Sequence, residues 1–203
     1  MFFSVVITNY NYEQFLSRCL RSVLEQSLSK DNYEIIVVDD ASTDQSKSII
    51  AKYSNEISAI YLENNVGLAS ASNIGIKSAK GRYIVRLDSD DFVHNDFLSV
   101  AKIYMELCSD TTDALAIDYL LVDDNGNNLG YGKQEESPIA CSIVFKSEIL
   151  IKLNYYKEGM RIDEEKELFK RFKELNLRMN YLPIPLYRYT QHNKSLSKAY
   201  LIR

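Results

Sequence analysis

The first half of the chain alternates short apolar runs with stretches of helical periodicity, and no other feature restricts the fold as much. Residues 3–8, 34–38, 59–62 and 83–87 are short runs rich in Val, Ile and aromatic residues, as strands are. Between the first two, Phe15, Leu16, Cys19, Leu20, Val23 and Leu24 recur in pairs four residues apart, which sets them on one face of a helix. Ser42 and Gln45 have the spacing of a capping box, so a helix is expected to begin there. Asn64-Asn65-Val66-Gly67 reads as a turn, and the next helix is expected to run to about Ala79, where Lys80-Gly81 breaks it. Strands that alternate with helices imply a mostly parallel sheet covered on both faces. The expected class is therefore α/β, with a Rossmann-like, mostly parallel sheet flanked by helices.

The pattern changes after Asp91. Asn95 is placed to cap a helix through Leu107, and residues 114–122 read as a strand followed by the hairpin signal Asp124-Asn125-Gly126. Residues 138–145 are apolar, and 163–175 read as a helix with Leu168, Phe169 and Phe172 on its apolar side. Pro183 and Pro185 interrupt residues 181–189, so a strand there is expected to be short or at an edge. These elements form a smaller, mixed half. No repeat or long linker separates the halves, so the 203 residues are read as one domain, with 1–91 and 92–203 as its two parts.

Composition narrows the function. The formal charge of −4 leaves no basic field for nucleic acid. Cys19, Cys108 and Cys141 lack metal-type spacing and fit reduced thiols in a cytosolic protein. There is no apolar run of membrane-spanning length and no secretory leader pattern. A cytoplasmic location is expected, with peripheral contact at the inner face of a membrane left open. The pattern sets no oligomeric state.

In an open α/β sheet, ligands bind at the carboxyl ends of the strands. Three polar clusters fall there: Thr8-Asn9-Tyr10-Asn11, Asp39-Asp40 and Asp88-Ser89-Asp90-Asp91. Tyr10 offers a ring on which a base could stack, Asp39 an acceptor for a base N–H, and Asp88 and Asp90 carboxylates for ribose and metal. The crowded aspartates repel one another unless a hard divalent cation bridges them to phosphate. Each cluster also has an architectural reading. Tyr10 could cover the end of the first helix, Asp39-Asp40 could lead into a capped helix, and Gly67 could supply only a left-handed turn. The acidic run could be a surface turn without metal. Three unrelated coincidences on one rim explain the pattern less well than a nucleotide diphosphate site. Asp163-Glu164-Glu165 fits either a helix dipole or a general base. His192 fits either a solvated loop or a metal ligand.

Taken in order, these segments resemble the family 2 glycosyltransferases, inverting enzymes with the GT-A fold. The matching stretches are Val5-Val6-Ile7-Thr8-Asn9-Tyr10-Asn11, Ile36-Val37-Val38-Asp39-Asp40-Ala41-Ser42-Thr43-Asp44, Asn64-Asn65-Val66-Gly67, Asn73-Ile74-Gly75 and Lys80-Gly81-Arg82-Tyr83-Ile84. Leu87 to Asp91 resembles the family's D-x-D segment, Glu164-Glu165 its acidic motif at a helix start, and Tyr187-Arg188 with His192 and Ser195 its C-terminal histidine segment. The resemblance implies that residues 1–91 bind the nucleotide sugar and that 92–203 receive the acceptor and carry the base. Thr8, Tyr10 and Asp39 would hold the nucleobase, uracil in most members. Asn9, Asn64, Gly67, Asn73 and Ser89 would belong to the same donor site. Asp88 would touch ribose or metal. Asp90 would be the main ligand of Mn²⁺ or Mg²⁺, with His192 near the metal or diphosphate. Glu165 matches the catalytic base, usually aspartate, and Glu164 is the alternative. Ser72 stands where many relatives carry an arginine, so the diphosphate would rely more on the metal or on another cation.

The implied activity is metal-dependent, inverting transfer of a hexosyl or N-acetylhexosaminyl group. The donor would be a nucleotide sugar, in most members a UDP-sugar, and the acceptor a hydroxyl of a saccharide or lipid-linked saccharide in bacterial surface polysaccharide assembly. Three rivals remain. One is a catalytically silent domain that only binds the nucleotide sugar. A sugar-phosphate nucleotidyltransferase would need a glycine-rich, basic loop after the first strand, which is absent. A phospho-accepting receiver would place its acidic pair after the first strand and leave Asp88 to Asp91 unexplained.

Overall fold

The computed structural model of the chain describes residues 1–160 and 163–192; Ser195 and the rest of the tail lie outside the described residues. The first half is a parallel sheet. β1 (Phe3–Asn9) is flanked by β2 (Tyr33–Asp39) and β4 (Tyr83–Asp88), and β3 (Ser58–Tyr61) lies outside β2. The crossovers carry α1 (Glu13–Leu24), α2 (Ser46–Ala51) and α3 (Leu68–Ser78). The second half adds β5 (Phe92–Val93), α4 (Phe97–Leu107), β6 (Ala114–Val122), β7 (Asn128–Gly132), β8 (Ile143–Lys146), α5 (Ser147–Lys152), α6 (Glu164–Glu174) and β9 (Met179–Thr190). One sheet runs through both halves in the order β3-β2-β1-β4-β8-β6-β9-β5, with β7 on β6. β8 is antiparallel to both β4 and β6, so β6 runs in the same direction as β4. No helix among the described residues is long and apolar enough to cross a membrane.

Alternate residues of each strand enter different cores, as the two-residue period requires. Val5, Ile7, Val85, Leu87, Leu115 and Ile117 face α1 and α4. Val6, Ile84, Ala114, Ala116 and Phe145 face α3, α5 and α6, where Leu168 and Phe172 close the layer. Each fully buried Leu, Ile or Phe contributes roughly 1.5–3 kcal/mol, so these two layers hold the strand ends in place.

Three local expectations are corrected. α2 begins at Ser46, and Ser42 makes no cap; its hydroxyl accepts instead from Asn9 and from the Asn11 backbone. Asn95 does not cap α4 either. The first-turn N–H of Leu98 donates to Gln26 Oε1 from beyond α1, at 2.8 Å, so a tertiary contact replaces the local one. β9 is twelve residues long rather than short, and β5 covers its outer side only at Tyr187 and Arg188. Its prolines are accommodated because pairing with β6 breaks there: Ile117 pairs with Leu182 and Tyr119 with Tyr187, and residues 183–186 fall in the irregularity between them.

Gly75 lets α3 lie close against the sheet. A Cβ there would stand 2.4 Å from Val6 Cγ1 and 3.0 Å from Val38 Cγ2. Gly75→Ala is expected to cost about 1–3 kcal/mol through overpacking, read as a lower urea midpoint. Ala at Ser78, exposed on the same helix, should change stability by less than ~0.5 kcal/mol.

Candidate active site

Parallel register brings the three polar strand ends together. Asn9 pairs with Asp39 across β1 and β2, and Thr8 pairs with Asp88 across β1 and β4. Tyr10, next along the chain, is 45% exposed. Four oxygens at these strand ends are buried and have no hydrogen-bond partner among the described residues: Thr8 Oγ1, Asn9 Oδ1, Asp88 Oδ1 and Ser89 Oγ. An unsatisfied buried polar atom costs about 1–3 kcal/mol. Three of these, and Asp88 Oδ1 with only Arg86 Nε nearby at 3.5 Å, mark a place where a ligand's donors or a cation would restore the missing bonds.

The two aspartates at the end of β2 do different work. Asp39 is fully enclosed; its Oδ1 accepts from Asn9 Nδ2 at 2.9 Å and its Oδ2 from the Ser42 N–H at 3.1 Å. Each oxygen thus already holds one bond, and Asp39 orients Asn9 from beneath the rim. Asp40 accepts the N–H groups of Val66 and Gly67, at 2.7 and 2.9 Å, and so pins the turn into α3. Gly67 adopts φ +86° there, which explains the glycine. Asn64 in the same turn is exposed. Asn73 is enclosed as well. Its amide accepts from the Tyr156 N–H at 3.0 Å and donates to the Tyr156 carbonyl at 2.8 Å, so it ties α3 to the segment before α6.

The acidic run after β4 divides in the same way. Asp91 is enclosed and accepts from Tyr187 Oη at 2.6 Å and the Thr190 N–H at 2.7 Å, locking β4's exit to the end of β9. Burial, then Asp90 and Asp88, push its carboxyl well above the usual range. Asp90 points elsewhere: its Oδ2 lies 2.9 Å from His192 Nε2, and the imidazole packs on Phe15 with a centroid separation of 4.8 Å. Arg18 braces the same turn, donating to the carbonyls of Asp124 and Asp90 and to Thr190 Oγ1.

Arg86 ties this rim to the second half. It is 5% exposed on β4, with Nε 3.5 Å from Asp88 Oδ1 and Nη1 3.5 Å from Glu164 Oε1, and its guanidinium lies over the Tyr156 ring. Burial opposes its charge, but Asp88 beside it prevails and holds Arg86 protonated. Burial raises the Glu164 carboxyl, Arg86 opposes that shift, and Glu165 adds to it. Glu164 is thus committed to Arg86, while Glu165 is the more open of the pair.

Asp90 and His192 offer oxygen and nitrogen donors that fit a divalent cation, while Asp88 Oδ1 already faces Arg86. Asp88, Asp91 and Cys141 also bring possible ligand atoms within 4.8 Å of one another. That group is a packing lock rather than a cage, because Asp91 is spent on Tyr187 and Thr190, and burial holds the Cys141 thiol protonated. Sequence reasoning named Asp40, Asp91 and Cys141 without giving them these roles, and missed Arg18 and Arg86. Only Arg86 left a clear signal: a cation inside an apolar strand must find buried carboxylates.

The family described as Glycosyl transferase family 2 matches residues 4–173. The poly(ribitol-phosphate) beta-N-acetylglucosaminyltransferase TarS of Staphylococcus aureus is 35% identical over 109 residues, 52% of this chain and 19% of that protein. TarP of the same species, also a poly(ribitol-phosphate) beta-N-acetylglucosaminyltransferase, is 30% identical over 84% of this chain and 53% of its own length. The crystal structure of TarS residues 1–349 with UDP-GlcNAc superposes with TM-score 0.86 at 26% identity, over 98% of this chain and 62% of that one. A Pyrobaculum calidifontis mannosyltransferase in complex with GDP-Man and Mn²⁺ shares the fold, with TM-score 0.76 at 18% identity over 96% of this chain and 58% of that one. The chain thus spans less than two thirds of each of these proteins.

Removing Arg86 would leave Asp88 and Glu164 buried without their cation. Arg86→Leu is expected to cost about 3–5 kcal/mol in chemical denaturation. Arg86→Lys, which keeps the charge but not the fork, should lose less than Arg86→Leu.

Proposed function

Because the chain belongs to glycosyl transferase family 2, we propose that it transfers a sugar from a UDP-hexose or UDP-N-acetylhexosamine to an acceptor hydroxyl, inverting the anomeric centre. The observation that carries this reading is the rim of four oxygens without hydrogen-bond partners on two parallel strand ends, joined through Arg86 to the acidic start of α6. The TarS complex with UDP-GlcNAc supports the donor class. Teichoic-acid glycosyltransferases among the relatives support a role in bacterial surface polysaccharide assembly.

Tyr10 stacks on the base, Thr8 and Asn9 bond its polar edge, and Asp39 orients Asn9 from below. Asp88 and Ser89 meet the ribose and diphosphate. A divalent cation, Mn²⁺ or Mg²⁺, held by Asp90 and His192 would act as a Lewis acid that neutralises charge on the leaving diphosphate. The acceptor oxygen bonds to the anomeric carbon as the bond to the diphosphate breaks, and Glu165 takes the hydroxyl proton. Glu165 holds this role because its neighbour Glu164 is committed to Arg86. The saccharide acceptor approaches from the 92–203 half. The membrane face and the cytoplasm are the proposed setting, since such acceptors are often lipid-linked.

Two measurements test this. UDP-GlcNAc or UDP-glucose with Mn²⁺ should raise the Tm of the wild type, because a ligand at a hundred times its Kd adds about 2.7 kcal/mol. Asp90→Ala should lose the metal-dependent part of that shift; a full shift would remove Asp90 from the site. Glu165→Gln should keep the shift but transfer sugar ~10²- to 10⁴-fold more slowly. Normal transfer by Glu165→Gln, with loss in Glu164→Gln, would move the base to Glu164.

A further inference from the structure

We propose that Tyr131 is a stacking platform for a pyranose ring of the acceptor, held in place by the buried carboxylate of Asp118. This deepens the transfer reading above and rests on it for the identity of the acceptor. The argument begins with the topology. β6 runs parallel to β4, so its C-terminal half rises on the same rim as Asp88. β9 occupies one edge of β6 along its length. β8 takes the other edge only at Ala114 to Ala116, and β7 takes the remainder, with Leu120 opposite Tyr131. β7 therefore extends the line of β8, beside the carboxyl end of β4. The side chains alternate consistently: Ala114 and Ala116 share the α6 core with Ile84, so Asp118 and Arg86, in phase with them, face the side of the sheet where Glu164 lies.

Tyr131 is 46% exposed, yet its hydroxyl is fixed on Asp118 Oδ2 at 2.5 Å. Asp118 is buried, and its other oxygen accepts from the Gln134 N–H at 2.8 Å. The bond to Asp118 raises the phenol to about 12, so the ring stays neutral at working pH. Gln134 in turn braces the loop through Ile139 and Ser142, and that loop delivers Cys141 to Asp91. A continuous set of bonds thus connects the exposed ring to the acidic turn. Leu129, the bulged residue two before it on β7, is 57% exposed and adds apolar surface. A large ring anchored at its polar tip and open on its face suits the flat C–H face of a pyranose and loses little entropy on binding. A linear polyol has no such face.

The test uses methyl β-glucopyranoside, methyl β-N-acetylglucosaminide and ribitol 5-phosphate as acceptors, with UDP-GlcNAc and UDP-glucose as donors and Mn²⁺ present. Tyr131→Ala and Tyr131→Leu should raise the KM for the productive pyranoside about ten-fold, or about 1.4 kcal/mol. The donor KM and the slow release of UDP to water should not change. Tyr131→Trp should stay near wild type. An unchanged acceptor KM in Tyr131→Ala, a fall in kcat alone, or transfer only to ribitol 5-phosphate would overturn the platform. Saturation-transfer NMR of the pyranosides reads binding without turnover. If no transfer or hydrolysis occurs but a pyranoside binds and Tyr131→Leu abolishes the signal, the subsite stands and the transferase reading fails. If no pyranoside binds, the subsite fails whatever the activity.

Discussion

The buried guanidinium of Arg86 is the constraint on which the two halves of the site depend. It rises from the strand that carries the acidic run and meets carboxylates from both sides, Asp88 ahead of it and Glu164 on a helix far along the chain. A lone cation at that depth would be strongly disfavoured, and so would either carboxylate alone. Together they fix the start of α6 relative to the donor rim. The same arrangement separates the two glutamates, because one is spent on the ion pair while the other stays more open.

The acidic clusters at the ends of β2 and β4 divide in a similar way. Asp40 and Asp91 accept backbone N–H groups or a tyrosine hydroxyl and hold turns in place. Asp39 sits behind Asn9. Asp88 faces Arg86 and Asp90 faces His192, side chain to side chain. Neighbouring aspartates of the same type thus serve different ends, one bonded to the backbone and the next to a distant side chain. The orphaned oxygens cost stability that an architectural turn would not sacrifice.

Much of the fold was legible in local pattern. The parallel first half, the three polar strand ends, the hairpin after β6 and the helix from Glu164 follow from periods of two and of three to four residues. The family resemblance matched the later comparison. The local signals that misled were those with a tertiary competitor. Ser42 had the spacing of a cap but was drawn to Asn9 and Asn11. Asn95 was displaced by Gln26. The two prolines pointed to a short or edge strand, yet β9 is long because they fall where its pairing with β6 is irregular and β5 does not reach. Asn73 kept its place in a recognisable motif while its amide went to Tyr156.

The order of apolar and polar residues was enough to determine that a parallel sheet forms and that its carboxyl ends carry carboxylates, since side-chain alternation and helical spacing are properties of neighbouring residues. Only the tertiary structure decided which carboxylates remain open, which glutamate is bound to Arg86 and which tyrosine stands beside the rim. Those outcomes turn on burial and on partners brought in from distant strands, and a carboxylate's state in a low-dielectric interior depends on the groups around it rather than on its position in the chain.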